Sequence, residues 1–165
     1  MLAYSANDNL TRRIGHVKVN GEVMWQGSWL GEFPSHRGVN TLLIDPFRCS
    51  VQESRRFDTY ASEDSARQLS DYLRQLSKGS VLVGVSADEP TDRLSSALPA
   101  LRELAVNVDD VGLRGSFAFI AQIGYPDKTV LSKALTQQES LTSPAHVIAT
   151  ITGINFARFY AALSF

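Results

Sequence analysis

The sequence predicts a mixed α/β domain in which two helices cover a sheet. Three observations carry this. Short alternating or β-branched runs recur from His16 onward. An amphipathic helical stripe spans residues 62–77, and a second, shorter stripe near 96–106 is flanked by apolar strand-like segments.

"HVKVN" alternates, Gly21 follows, and apolar content resumes over Val23–Trp25. Asn-Gly between two such runs predicts a hairpin. "QGSWLGEFPSHRG" mixes Gly, Ser and Pro with aromatics and reads as a loop. "VNTLLID" predicts a buried strand ending at the turn opener Asp45-Pro46. Residues 51–60, including "RRFDTY", predict its partner strand.

Residues 62–77 form the clearest helix. Ser62 suits the N-cap, and Glu63 and Asp64 complement the dipole. Ala66, Leu69, Leu73 and Leu76 align on one face beside Tyr72, and Lys78-Gly79 closes the element. Val81–Val85 is too short and too β-branched for a helix. The second helix, 96–106, has Pro99 in its first turn and Leu98, Leu101, Leu104 and Ala105 as its buried side. Gly112–Gly115 brackets a turn, and "SFAFIAQIG" is a further strand. "PAHVIATITG" predicts another strand, whereas "INFARFYAALSF" fits a strand or an amphipathic helix.

At 165 residues, 44% hydrophobic and with a net charge of −1, the composition is that of a soluble, single globular domain over 1–165. It lacks the broad basic field that holds nucleic acid or anionic membrane. No apolar run approaches the ~20 residues that span a bilayer, so no membrane insertion is expected. Cys49 stands alone, so no intrachain disulfide is possible. The polar N-terminus "MLAYSANDNL" shows no signal-peptide pattern.

Catalytic and metal signatures are scarce. His16, His36 and His146 lack zinc-helix spacing, and no EF-hand, nucleophile elbow, P-loop or dinucleotide glycine pattern occurs. The most conspicuous polar feature is "SADEP", where the strand from Val81 surfaces in Asp88-Glu89. Glycosidases place two carboxylates ~5–10 Å apart across one bond. Neighbours leaving a strand point to opposite sides, which argues against such a pair. A helix-capping role for either acid stays open beside a ligand role. No enzyme, cofactor or metal is expected.

Five separated stretches, "VKVNGEVMWQG", "RGVNTLLID", "RRFDTYAS", "GSVLVGVSADE" and "LRGSFAFIAQIG", resemble in order and spacing the interleukin-like epithelial–mesenchymal transition inducer (ILEI, or GG) domain family. The likeness covers about residues 14–125 and leaves 126–165 as a C-terminal extension. It implies a compact, β-sandwich-like α/β fold of mixed sheets with two covering helices. Because the family includes the sugar-binding stem of protein O-linked-mannose N-acetylglucosaminyltransferase, it also implies carbohydrate binding.

The stem's site maps onto Arg37 of "HRGV", Asp88 of "SADE" and Arg114 of "LRGS", with Glu89 adjacent. An aspartate accepts from vicinal hydroxyls, and an arginine offers several donors to sugar oxygens while keeping the acid ionised. Trp29, Phe117 and Tyr125 are candidates for an aromatic face. Two departures stand out: Gly115 and Phe117 replace the family's Asp and Trp, and the cysteine pairs of the secreted members are missing.

The resulting expectation is a homo-oligomeric, extracellular lectin for β-linked glycans containing N-acetylglucosamine or galactose, N-acetyllactosamine among them. Its partners would be glycoproteins or glycolipids. A cytokine-like signalling ligand is the alternative, and a cytoplasmic location stays open.

Overall fold

The computed structural model describes residues 14–19, 21–28, 36–48, 50–143, 145–151 and 157–164. Its elements in chain order are β1 (Ile14–Val19), β2 (Glu22–Ser28), β3 (Gly38–Asp45), β4 (Ser50–Phe57), α1 (Glu63–Gln75), β5 (Val81–Ala87), α2 (Leu98–Glu103), β6 (Ser116–Gln122), β7 (Tyr125–Ala134), α3 (Gln137–Thr142), β8 (His146–Ile151) and β9 (Ala157–Ser164). The strands form a five-stranded sheet, β4-β3-β5-β6-β7, and a four-stranded sheet, β2-β1-β9-β8. All pairings are antiparallel.

The period-2 alternation of the central strands sorts these elements into three layers. Val39, Leu82, Phe117, Phe119 and Ala121 point one way and pack with Leu69 and Leu73 of α1 and Leu101 of α2. Leu42, Ile44, Val81, Val83, Val85, Ala118 and Ile120 point the other way and meet Val17, Val19 and Val147 of the four-stranded sheet. Helices cover one face and the second sheet covers the other. A sheet buried on both faces needs nearly continuous apolar strands, which explains "VLVGV" and "SFAFIA". The architecture is the expected sandwich-like α/β fold with covering helices.

Local chemistry sets the element boundaries. Ser62 caps α1 by accepting from the Asp64 N–H at 3.1 Å, with Glu63 and Asp64 in the first turn. The second helix is shorter than expected: a 3-10 turn, Ser95–Ala97, precedes α2, which ends at Glu103. Ala105 then turns to φ 60 and is exposed, so it does not share the buried side. β4 stops at Phe57 because Asp58 opens a turn, its carboxylate accepting from the Ala61 N–H at 3.1 Å.

The C-terminal segment completes the fold. β7 is an edge strand, with Pro126 at its start, where a missing N–H costs no ladder bond. β9 lies between β1 and β8, which resolves the strand-or-helix alternative in favour of a strand. Both β7 and α3 went unanticipated. β7 is half exposed and lacks a clean apolar run. α3 does carry a sequence signal, the Thr136/Glu139 capping box. Among the described residues, no helix is long and apolar enough to cross a membrane.

Candidate functional site

Sheet topology gathers the candidate residues. Antiparallel pairing puts the start of β3, the ends of β4 and β5 and the start of β6 at one pole of the five-stranded sheet. Arg37, Asp58, Asp88, Glu89 and Arg114 all lie in the segments leaving those strand ends. β5 and β6 also part there. Their pairing stops at Val85–Ala118, although β5 continues to Ala87 and β6 begins at Ser116. Beyond that point side chains replace the ladder, with Ser86 Oγ accepting from the Phe117 N–H at 2.8 Å.

Gly38 lets the first of these segments approach. Its φ is +95°, and a Cβ would lie 2.2 Å from the Phe57 carbonyl oxygen and 2.8 Å from the Thr59 nitrogen. The preceding residue, Arg37, reaches across the turn after β4. Its Nε and Nη2 donate to the two oxygens of Asp58 at 3.0 and 2.9 Å, a forked pair. Arg56 Nη2 adds a third contact to Asp58 at 3.1 Å.

The hydrogen bond to Asp58 holds the Arg37 guanidinium in its charged form more firmly than usual. The negative charges of Asp58 and, further down in effect, Asp88 act the same way. Partial burial alone would push the Asp58 carboxyl up. The hydrogen bonds from Arg37 and the Ala61 N–H, with the charges of Arg37 and Arg56, outweigh it and leave Asp58 below the usual carboxylate range. The Arg37 guanidinium carbon also lies 4.5 Å from the Tyr60 ring centroid, and Tyr60 is 42% exposed.

Glu89 has a different position from the one expected. It is 1% exposed, and its Oε1 accepts from the Thr91 N–H at 2.9 Å and the Thr91 hydroxyl at 2.7 Å. Its Oε2 accepts from the Arg114 N–H. The carboxylate therefore ties the segment after β5 to the turn before β6 and turns no face to a ligand. Asp88 and Arg114, the residues on either side of this tie, both take left-handed backbone conformations, φ 57 and φ 56. Asparagine and aspartate tolerate that region, but arginine does so at a cost of about 1–2 kcal/mol. Asp88 is 8% exposed, whereas Arg114 is exposed.

Of the residues expected at the site, Arg37, Asp88 and Arg114 converge at this pole. Glu89 is there as an internal clamp. Phe117 is 0% exposed within the helix-facing core, so its ring cannot cover a sugar face. Tyr125 lies at the opposite pole, next to Gln122 in register, about 20 Å away along seven-residue strands. Trp29 and Cys49 lie outside the described residues. Sequence reasoning missed Asp58 and Tyr60, having placed both inside a strand. The Asp-Thr pair closing the alternating run was the available turn signal. Among the described residues, no group of three or more His, Cys, Asp or Glu side chains is placed to hold a metal ion.

Comparison with known proteins identifies the family. Residues 37–125, which contain every element of the pole just described, match the family model described as interleukin-like EMT inducer. The chain is also 31% identical over 112 residues to the cell migration-inducing and hyaluronan-binding proteins of Homo sapiens and Mus musculus. Those matches cover 67% of this chain and 8% of each relative, so the chain spans only a small part of their length. The chain belongs to the interleukin-like EMT inducer family.

Proposed function

We propose that this domain is a carbohydrate-binding module that holds β-linked glycans containing N-acetylglucosamine or galactose, without catalysis and without a metal. The observation that carries this reading is the convergence of Arg37, Asp88 and Arg114 at one sheet pole, beside the exposed ring of Tyr60. Arg114 supplies exposed donors, the covered Asp88 accepts from one or two hydroxyls, and Arg37 is held in place by Asp58. Tyr60 takes over the aromatic role first sought in Trp29 and Phe117, offering a face to the C–H surface of a pyranose. The mammalian relatives are hyaluronan-binding proteins by name, which supports a glycan partner. The name also supports an extracellular setting, and we infer partners among glycoproteins or glycolipids. A single shallow site binds weakly, and we infer that a homo-oligomer supplies avidity.

A glycan array tests this reading. The parent chain is expected to bind defined β-linked glycans in EDTA. Asp88→Asn and Arg114→Gly should each lose about tenfold or more, the equivalent of one charge-assisted hydrogen bond. Both variants binding like the parent would remove the site, and loss of binding in EDTA would remove metal independence. Release of reducing sugar on incubation would restore an enzymatic reading. The family's name favours a second reading, a cytokine-like ligand for a protein receptor. An empty array together with saturable, sugar-independent binding to cells would select it.

A further inference from the structure

The pole opposite the proposed sugar site carries a second constellation. Tyr125 starts β7 at the tip of the β6–β7 hairpin and is 37% exposed. Two ammonium groups lie against its ring: Lys78 Nζ is 5.1 Å and Lys128 Nζ 4.8 Å from the centroid. Among the described residues, neither ammonium has a carboxylate within ion-pair reach. Two like charges share one ring at an exposed tip and outnumber the single neighbouring carboxylate, Asp127, in a chain whose net charge is −1.

The backbone beneath them is built to hold this arrangement. Residues 79–80 and 123 are joined by the Gly79 N–H to the Ile123 carbonyl and the Ile123 N–H to the Ser80 carbonyl, both at 2.8 Å. Lys78, the last residue before that tie, lays its stem across Gly124. A Cβ at Gly124 would meet Lys78 Cγ at 2.7 Å and Cδ at 3.2 Å. The turn is therefore open to the lysine stem, and Gly124's φ of +80° independently disfavours any other residue. The Lys78 stem lies against the turn while its ammonium stands at the exposed tip.

We infer that this pole is a second binding site, for a linear acidic polysaccharide. An aromatic face covers the C–H side of a pyranose, and flanking ammoniums take carboxylate or sulfate oxygens. A chain of alternating acidic units presents both at the spacing of successive residues. The choice of a sugar polymer rests on the carbohydrate-binding reading above, but the residues are separate. Neither Lys78, Tyr125 nor Lys128 touches the pole of Arg37 and Asp88.

Binding of the full chain to heparin and alginate oligosaccharides, acidic chains without β-linked N-acetylglucosamine or galactose, measured by titration calorimetry from 50 to 500 mM NaCl, tests the inference. Neutral chitin oligosaccharides and single-stranded DNA serve as comparison ligands. The parent is expected to bind the acidic oligosaccharides with affinity that falls as salt rises. Lys78→Gln/Lys128→Gln should lose about tenfold and flatten the salt dependence, with Tyr125→Ala losing about threefold. Asp88→Asn should leave this binding unchanged, and the lysine variant should leave chitin-oligosaccharide binding unchanged. If Asp88→Asn alone abolishes acidic-chain binding, the ligand sits at the first pole and the second site is refuted. Equal affinity for DNA would refute a sugar-reading site in favour of plain charge attraction. Unchanged acidic-chain binding in both Lys78→Gln/Lys128→Gln and Tyr125→Ala would refute it outright.

Discussion

The two poles of the five-stranded sheet solve the same problem in different ways. At the far pole, turns that need a positive φ have glycine there: Gly79 at φ +91 and Gly124 at φ +80. Backbone hydrogen bonds at 2.8 Å join them. At the near pole Gly38 is joined by Asp88 and Arg114, which adopt the same region with side chains attached. There the segments are tied mainly by carboxylates, Asp58 to Arg37 and Glu89 to Thr91 and Arg114. At Arg114 the backbone therefore carries a cost that the glycines of the far pole avoid, and the proposed sugar contact would account for it. Ala105, the third such residue, shows that helix termination alone can also bring it about.

The largest expected effect separates the poles by backbone space. Gly38→Ala drives a Cβ to 2.2 Å from the Phe57 carbonyl oxygen, where only main chain could give way. A loss of about 3 kcal/mol or more is expected in urea unfolding, or failure to fold. Gly79→Ala meets nothing within 4 Å and carries only its φ penalty, about 1 kcal/mol. Equal losses at the two positions would show that close approach does not distinguish the poles.

Glu89→Ala comes next. It leaves the N–H groups of Thr91 and Arg114 without their acceptor, at about 1–3 kcal/mol by the cost of an unsatisfied buried donor. Because Glu89 spaces Asp88 from Arg114, sugar affinity should fall as well. Loss of stability with full affinity would show that the clamp does not position the site.

Arg114→Gly is expected to move stability the other way, by about +1 kcal/mol, because glycine adopts φ 56 without the arginine's cost. The same variant should lose glycan binding. A chain made more stable and less able to bind would set the strain at Arg114 against function in one measurement. Destabilisation would mean the exposed side chain contributes packing that outweighs its backbone cost.

Much of the fold could be read in the sequence because three of its signals are local. The hairpin glycine, the Ser62 cap with its apolar stripe, and the uninterrupted apolar strands each follow from neighbouring residues. β7 could not be read in the same way, because an edge strand covered on one side only need not be apolar. The candidate site was legible in part. Arg37, Asp88 and Arg114 follow from a family resemblance, and the antiparallel register explains why they lie at one pole. Asp58 and Tyr60 stayed hidden because their role depends on where β4 ends, and alternation places strand ends poorly. Phe117 and Glu89 were misplaced for one reason: a residue beside a surface turn can still point inward, and sequence adjacency carries no direction.

The smallest expected effect lies in the acid limb of stability, where Asp45 at the far pole and Asp58 at the near pole are both held below their ordinary range. Asp45 at the far pole is lowered by the backbone N–H groups of Arg48 and Phe47. For Asp58, burial acts upward and is outweighed chiefly by Arg37. In both, the folded pKa lies below the unfolded value near ~3.9. Each contribution is then fully present above about pH 4 and is lost as pH falls through the folded pKa. Asp45→Asn and Asp58→Asn should therefore both flatten the fall in stability below about pH 4, with no change in slope between pH 5 and 8. Salt separates them. Screening weakens the forked charge pair at Asp58 and the exposed 3.6 Å Arg48 contact at Asp45, but leaves the N–H donors that act most on Asp45 nearly untouched. In 1 M NaCl the difference between parent and Asp58→Asn should shrink while that for Asp45→Asn persists. If both shrink alike, the near pole is not held by charge more than the far one.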